Sequence, residues 1–346
     1  MLHCKMILFN TFKKRKENEM KKLPQSITDS LELPVIAAPM FLVSGPELVI
    51  ASCENGIIGS FPLQNARTLE ILEDWLNQLT STLSEIKAQN PTKKIAPWAA
   101  NLVVHRSYDR MEKELELVKK YQPPIVITAL GNPREVIETV RSYGGLVFAD
   151  VNSIAFAKKA AATGVDGLIL VSSGAGGHTG MINNFAFVEA VQEFWDGIIV
   201  LAGGMSTGQS IFATEALGVD LAYMGTKFIA SKESYAQQEY KEMLLRTTSA
   251  DIICTDAFTG VPANMIRESI ENAGYDISKL KKKEQIDFEQ PLHATKAWKD
   301  IWSAGHGVGP IKEIQPMATI IQTLKTEYDA AKDALISTHK LQEELL

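Results

Sequence analysis

The chain has 346 residues, 45% of them apolar and 22% charged, with a formal net charge of −6. This is the balance of a globular protein with chain enough for a large core. No basic stripe interleaves with aromatics, which excludes nucleic acid as a partner. The most apolar long window, 35–53, is broken by Pro39, Gly45, Pro46 and Glu47, which excludes a membrane span.

Residues 1–19 stand apart from the rest. Lys13, Lys14, Arg15 and Lys16 form a basic run with no long apolar core after it, so this is not a secretory signal; the segment reads as a disordered extension or as an upstream start-site artefact, Met20 being a plausible translation start. Cys4, Cys53 and Cys254 lie far apart, with neither metal-ligand spacing nor a disulfide framework, which fits a reducing cytoplasm.

In chain order, residues 33–40 form a short apolar strand ending in Ala38, Pro39 and Met40. Residues 44–55 read as a helix, capped by Ser44 or Gly45, with Pro46 in its first turn. Strand 56–61 follows, then a helix over 68–89 whose leucines recur at helical spacing. Strand 95–103 tolerates Pro97 only near its start, and Asn101 lies towards its end. Helix 108–121, strand 124–130 and helix 133–143 continue the alternation. Strand 145–150 ends at Asp150, and helix 153–163 is closed by Gly164. Strand 167–171 runs into the glycine-rich stretch 172–180, which is followed by helix 185–194. Strand 197–205 ends in Gly203 and Gly204, Ser206 or Thr207 caps helix 208–217, and strand 220–226 ends in Gly225 and Thr226.

Regular strand–helix alternation demands a parallel sheet, so the class is α/β. Eight such units suggest a closed (β/α)8 TIM barrel over residues 20–230, with an open doubly wound sheet as the alternative. Residues 231–305 show no strand pattern and read as a helical cap or insert, with helices over 233–246 and 265–273 around a loop at 255–264. Residues 306–346 read as a C-terminal helix, over 311–331, returning to the barrel.

The chemistry lies in the loops at the strand ends, where such folds build their sites. Gly174, Gly176, Gly177 and Gly180 surround His178, and glycine lets another molecule approach the backbone closely. The bland alternative is a structural loop whose histidine caps a neighbour. Gly203-Gly204 and Gly225-Thr226 close strands seven and eight, where a barrel commonly holds a phosphate; glycines also serve as bare helix caps. No Gly-x-Gly-x-x-Gly follows the first strand, and no triphosphate-loop lysine accompanies Gly203. One phosphate site with Pro39 and Met40 beside a ring suggests a mononucleotide such as FMN.

Ala37-Ala-Pro-Met40, Ala175-Gly-Gly-His-Thr-Gly180, Ala202-Gly-Gly-Met205 and Tyr223-Met-Gly-Thr226 together resemble the nitronate monooxygenase family, formerly the 2-nitropropane dioxygenases, over about 33–309. The resemblance implies a barrel with a helical cap, noncovalent FMN, and oxidation of alkyl nitronates by O2 to a carbonyl compound and nitrite. It places Ala38, Pro39 and Met40 against the flavin ring and Asn101 at its edge. Gly176, Gly177, Gly203, Gly204, Gly225 and Thr226 fall on the phosphate and ribityl side. His178 falls near the reactive face, where it orients an anionic nitro group or takes the α-proton, an imidazole being suited to either near neutral pH.

Three positions depart from the family pattern. Asp150 stands where some flavin-barrel relatives carry a basic residue, Ser173-Gly174 where some carry Glu, and His306 where many carry Gln. Asp150 also reads as a simple cap for the helix after it. Two other functions stay open: an FMN-dependent NAD(P)H reductase of a quinone or enoyl thioester, and a flavin-binding protein without catalysis. The partners implied are a small nitronate and O2, with a homodimer left open. His105, His293, Cys53 and Cys254 read as structural or exposed, and Trp298 and Trp302 as packing rather than a substrate wall.

Overall fold

Eight parallel strands close on themselves in the computed structural model, which describes residues 23–281 and 301–344. The extension 1–19, His293 and Trp298 lie outside the described residues. The barrel strands are β1 (Val35–Ala37), β2 (Ile58–Pro62), β3 (Trp98–Val103), β4 (Ile125–Ala129), β5 (Leu146–Val151) and β6 (Gly167–Val171). After a short strand β7 (Gly177–His178), the barrel resumes with β8 (Ile198–Ala202) and β9 (Leu221–Met224). The last closes on the first, with Tyr223 beside Ile36. The fold is the (β/α)8 TIM barrel; the open sheet is excluded by this closure. Pro97 sits just before β3, where its missing N–H costs no ladder bond.

Alternation along each strand divides the core in two. Ile36, Ile58, Ile127, Phe148, Ile169 and Leu221 point inward and fill the barrel. Val35, Ala37, Val126, Val147, Leu168 and Ala222 point outward against the helices. A single turn, α1 (Gln25–Thr28), places Ile27 in the inner cluster and so plugs the N-terminal end of the barrel. The other end is left for a site.

The crossover helices are α2 (Pro46–Glu54), α3 (Leu69–Gln89), α4 (Met111–Tyr121), α5 (Arg134–Arg141), α6 (Ile154–Ala161), α7 (Asn184–Gln192) and α8 (Gly208–Ala216). Their starts follow capping chemistry. Thr68, Ser153, Asn183 and Thr207 each accept a backbone N–H from three residues on. Gly45 caps α2, while the Ser44 hydroxyl accepts instead from Met40 N at 3.0 Å. No helix among the described residues is long and apolar enough to cross a membrane.

After β9 come a short α9 (Thr226–Ile229) and α10 (Gln238–Arg246). The helix expected from 233 starts late because tertiary bonds take the backbone before it. Lys232 N donates to Gln315 O at 2.9 Å, and Tyr235 N to Val43 O at 2.8 Å.

The expectation of a purely helical cap is corrected. β10 (Ile252–Thr255) and β11 (Ala263–Ile266) pair antiparallel, and β11 then pairs with β7 from the glycine loop. These strands are short, and the third is supplied from far away in the chain, so no local period announces them. Met265 and Ile266 complete β11, and helix α11 (Arg267–Asn272) begins only after them.

The C-terminal helix is α12 (Met317–Glu344), later than the expected 311 because Pro316 precedes it and 315 is held by Gln315 N to Ala230 O, 3.2 Å. It packs between α8 and α2 and so takes the place of the eighth barrel helix. A side chain at Gly208 would meet Tyr328 N at 2.2 Å, so a glycine is required where α8 and α12 touch. Glu233 accepts from Met317 N at 3.0 Å and caps α12.

Candidate functional site

The inward-facing residues at the C-terminal ends of the strands floor a cavity of about 420 Å³, within the size range of small-molecule sites. Ala38, Pro39, Met40, Asn101, Gly176, Gly177, His178, Gly203, Gly204, Gly225 and Thr226 all line it. The sequence placed these residues on five separate loops, and the barrel brings them together.

Side chains bond the backbone of the loops after β1, β6 and β8. After β1, Asn65 Nδ2 donates to Met40 O at 2.9 Å and Ser44 O at 2.8 Å, while its Oδ1 accepts from Leu42 N at 3.0 Å. That clamp keeps Leu42 at φ +61°. Leu130, after β4, is held at φ +64°. Branched residues rarely adopt this region, and both line the cavity, where such strain tends to collect. Asn101 Nδ2 donates across to Ile127 O at 3.2 Å, which fixes the amide at the cavity floor.

The glycine loop is tied on both sides. Ser172 Oγ donates to Ala202 O at 2.5 Å, and Asn184 Nδ2 to Gly203 O at 2.9 Å. Gly204 N donates to Gly174 O at 3.1 Å. On the cap side, Asn264 Nδ2 donates to Ala175 O at 2.7 Å, and β7 places His178 opposite Ala263. A third loop closes over both: Gly305 N donates to Thr226 Oγ1 at 2.9 Å and His306 N to Gly174 O at 3.0 Å.

The glycines divide by what they face. A Cβ on Gly176 would lie 2.7 Å from Gly305 N, so that glycine serves loop-on-loop packing. Gly204, at φ +72°, has nothing within 4 Å of its would-be Cβ and faces open cavity. Gly225 leaves a gap bounded by Met40 Sδ at 3.4 Å.

The electrostatics are those of desolvation. Burial lowers the His178 imidazole to about 4, so it is neutral at pH 7. Burial raises the Asp150 carboxyl to about 7. By surface it is only half-buried, because it opens on the cavity, yet protein surrounds it and no cation compensates it. Burial, then the Asp150 charge, drives the Tyr223 hydroxyl well above its ordinary value. Asp150 Oδ1, Tyr223 OH and Gln64 Oε1 have no hydrogen-bond partner among the described residues. Above the floor stands an aromatic wall, in which Tyr240 and Trp302 stack at 5.0 Å and 11°.

The sequence profile of the nitronate monooxygenase family matches residues 22–327. This chain belongs to the nitronate monooxygenase family. It is an enzyme of that class, the class of flavin-dependent oxidoreductases. A probable nitronate monooxygenase from Staphylococcus aureus is 25% identical over 265 residues, covering 67% of this chain and 74% of the relative. The nitroalkane oxidase from Streptomyces ansochromogenes is similar in structure, with a TM-score of 0.73 and 24% identity over 90% of this chain and 100% of that one. FabK from Thermotoga maritima gives 0.71 and 23%, over 91% of this chain and 99% of that one. At such identities the two structures bear on the fold alone.

Within this nitronate monooxygenase family member, several cavity residues carried no signal in the sequence. Gln64, Leu42, Leu130 and Tyr240 all line the cavity. Leu42 and Leu130 are special only in backbone angle, which sequence does not display. Asp150 is not a helix cap; Ser153 caps α6. Trp302 both packs on Tyr240 and lines the cavity. The His306 side chain is exposed, while its neighbours Gly305 and Gly307 line the cavity. His105 Nδ1 lies 2.7 Å from Ser107 Oγ, beside a smaller cavity away from the floor. Cys53 is buried with its thiol pushed up to about 12, and Cys254 is exposed.

Proposed function

We propose that this protein uses a noncovalently bound FMN to oxidise alkyl nitronates with O2, giving a carbonyl compound and nitrite. The observation that carries the reading is the convergence of the strand-end glycines and a desolvated His178 on one cavity. The residues fit a mononucleotide. Gly204 offers bare backbone to open space, Gly225 leaves a gap beside Met40, and unpartnered polar atoms on the floor await a polar ring edge. A single phosphate-binding region, without a second nucleotide motif, favours FMN over FAD. Bound FMN supplies the electron acceptor and the reduction of O2.

On this reading Ala38, Pro39 and Met40 pack against the ring, and Asn101 presents its amide to the ring's edge. Gly176, Gly177, Gly203, Gly204, Gly225 and Thr226 receive the ribityl phosphate. His178 sits over the reacting carbon and nitro group as a neutral imidazole. It is a weak base there, so its first task is to orient the nitro oxygens by donating an N–H. A substrate that arrives already deprotonated makes no demand on its basicity. The barrel, residues 20–230, holds the cofactor on this reading, and the segment 231–305 covers the substrate.

The test is direct. The purified protein is expected to be yellow, to release FMN on heat denaturation, and to consume O2 with a preformed nitronate without oxidising NADH. Released FAD would count against FMN as the cofactor, and NADH turnover without nitronate turnover would count for the reductase reading. Bound FMN with turnover of neither would leave a flavin-binding protein without catalysis.

A further inference from the structure

The cavity floor carries one feature that the roles above leave unused. Phe148 on β5 and Leu221 on β9 point into the barrel, so Asp150 and Tyr223, two residues further on, point the same way at its mouth. Strand register places apolar Val171 and Ala202 between them, Val171 opposite Ala202 and Ala202 opposite Tyr223. Both polar side chains line the cavity, and neither Asp150 Oδ1 nor Tyr223 OH has a hydrogen-bond partner among the described residues.

A buried carboxyl can be kept in two ways: as an anion beside a cation, or as a neutral acid. The first is not available here, because no Lys or Arg lines the cavity among the described residues. The remaining titratable groups facing it are His178 from the glycine loop, Tyr235 from the cap segment, Tyr240 on α10 and Tyr223 itself. His178 is lowered to about 4 by burial, and burial raises all three tyrosines, so none of them changes charge near neutrality.

A neutral carboxylic acid presents one donor and one acceptor side by side. The complement of that pair is an imide edge, an N–H beside a C=O, and such an edge closes the pyrimidine ring of a flavin. Tyr223, which feels the Asp150 charge across the cavity mouth, adds a second donor. We propose that Asp150, as the neutral acid, and Tyr223 together hydrogen-bond the imide edge of the bound flavin and so set the ring's seating on the barrel floor. This rests on the flavin reading above. It also accounts for an acid where some relatives carry a base: a protonated carboxyl keeps a donor at that edge without adding charge. Ionisation of Asp150 removes the donor and turns a lone pair towards the ring carbonyls, which repels them.

The test is flavin affinity rather than turnover. Apoprotein of wild type, Asp150→Asn, Asp150→Ala and Tyr223→Phe is titrated with FMN and with riboflavin, by quenching of flavin fluorescence, between about pH 6 and pH 8.5. Riboflavin lacks the phosphate, whose own titration would otherwise intrude. Asp150→Asn keeps a donor and an acceptor and is expected to hold riboflavin within about threefold of wild type at pH 6. Asp150→Ala is expected to weaken it about tenfold, and Tyr223→Phe by about three- to tenfold. Wild-type affinity is expected to fall above neutrality, approaching about tenfold per pH unit, while Asp150→Asn stays flat.

Equal affinities in wild type and Asp150→Ala, or the same pH profile in wild type and Asp150→Asn, would overturn the assignment. Wild-type apoprotein that takes up neither ligand would overturn the flavin reading and this one with it. Should Asp150→Ala fail to fold, the pH profiles of wild type and Asp150→Asn still decide.

Discussion

His178 is a histidine with its charge taken away. Burial alone brings it to about 4, and no carboxylate adjoins it in sequence to restore basicity, since Ser173 and Gly174 precede its loop. It can donate an N–H to a nitro oxygen at neutral pH, but it is ill suited to pull a proton from carbon. His178→Asn keeps a donor and removes the base. Turnover of preformed nitronate is therefore expected to fall by less than about tenfold, and wild type is expected to prefer nitronate to neutral nitroalkane. Were His178 the base instead, nitroalkane turnover would fall by about 10²–10⁴ while nitronate turnover was spared. Steady-state kinetics of both proteins on both substrates separates the two cases. The position of His178 in a glycine loop was legible in the sequence; its charge state was not, because its burial depends on distant parts of the chain, among them β11, whose Ala263 lies opposite it. Asp150 shows the same limit. As a strand-end acid before a serine it resembles a cap, and only the closed barrel reveals that it faces inward while Ser153 does the capping.

The glycine loop keeps its shape through a strand pair that no local pattern announces. β7 is two residues long and exists because β11 lies beside it. Asn264 in β11 carries the side-chain part of that link, donating to Ala175 O at 2.7 Å, while Thr179 N donates to Pro262 O at 3.0 Å. Asn264→Ala is expected to cost about 1 kcal/mol at this joint, because a partly buried carbonyl loses its donor. The loss should appear as faster amide exchange at 175–179 and weaker flavin binding, with the barrel intact. Unchanged exchange across that loop would show that the strand pairing alone suffices. The eight barrel strands were readable one by one, since each is a short apolar run and most are closed by glycine or proline. Strands β10 and β11 were not, since β11 takes one of its two partner strands, β7, from the glycine loop. The late start of α10 has a similar origin: Gln315 O and Val43 O hold Lys232 and Tyr235 by their N–H groups and fix the path of the chain before Gln238.

The chain as a whole folds a barrel whose last helix arrives after the cap. α12 closes the ring between α8 and α2, so the cap segment is tethered to the barrel at both ends. The buried titratable groups of the barrel govern how the flavin-free protein responds to pH. Asp150 rises from an ordinary 3.8 to about 7 through burial. Glu114 rises from 4.5 to about 7 because burial outweighs the pull of Tyr108 and of Arg110, 3.0 Å away. Both carboxyls hold a proton in the folded chain that the unfolded chain has released. Each therefore subtracts stability as pH rises from its unfolded value towards about 7. His178 acts in the opposite sense: folded it binds a proton only near 4, unfolded near 6.5, so it adds stability as pH rises between those values. Each group contributes about 1.4 kcal/mol per pH unit inside its window. Between about pH 4.5 and 6.5 two losses meet one gain, and the net expectation is a fall of about 1.4 kcal/mol per pH unit. Urea unfolding of the flavin-free protein across that range measures it. Glu114→Gln and Asp150→Asn should each remove one loss and leave the profile nearly level, whereas His178→Asn should remove the gain and steepen the fall. A wild-type profile that rises from pH 4.5 to 6.5 would mean that the carboxyls ionise in the folded chain, with Arg110 rather than burial governing Glu114.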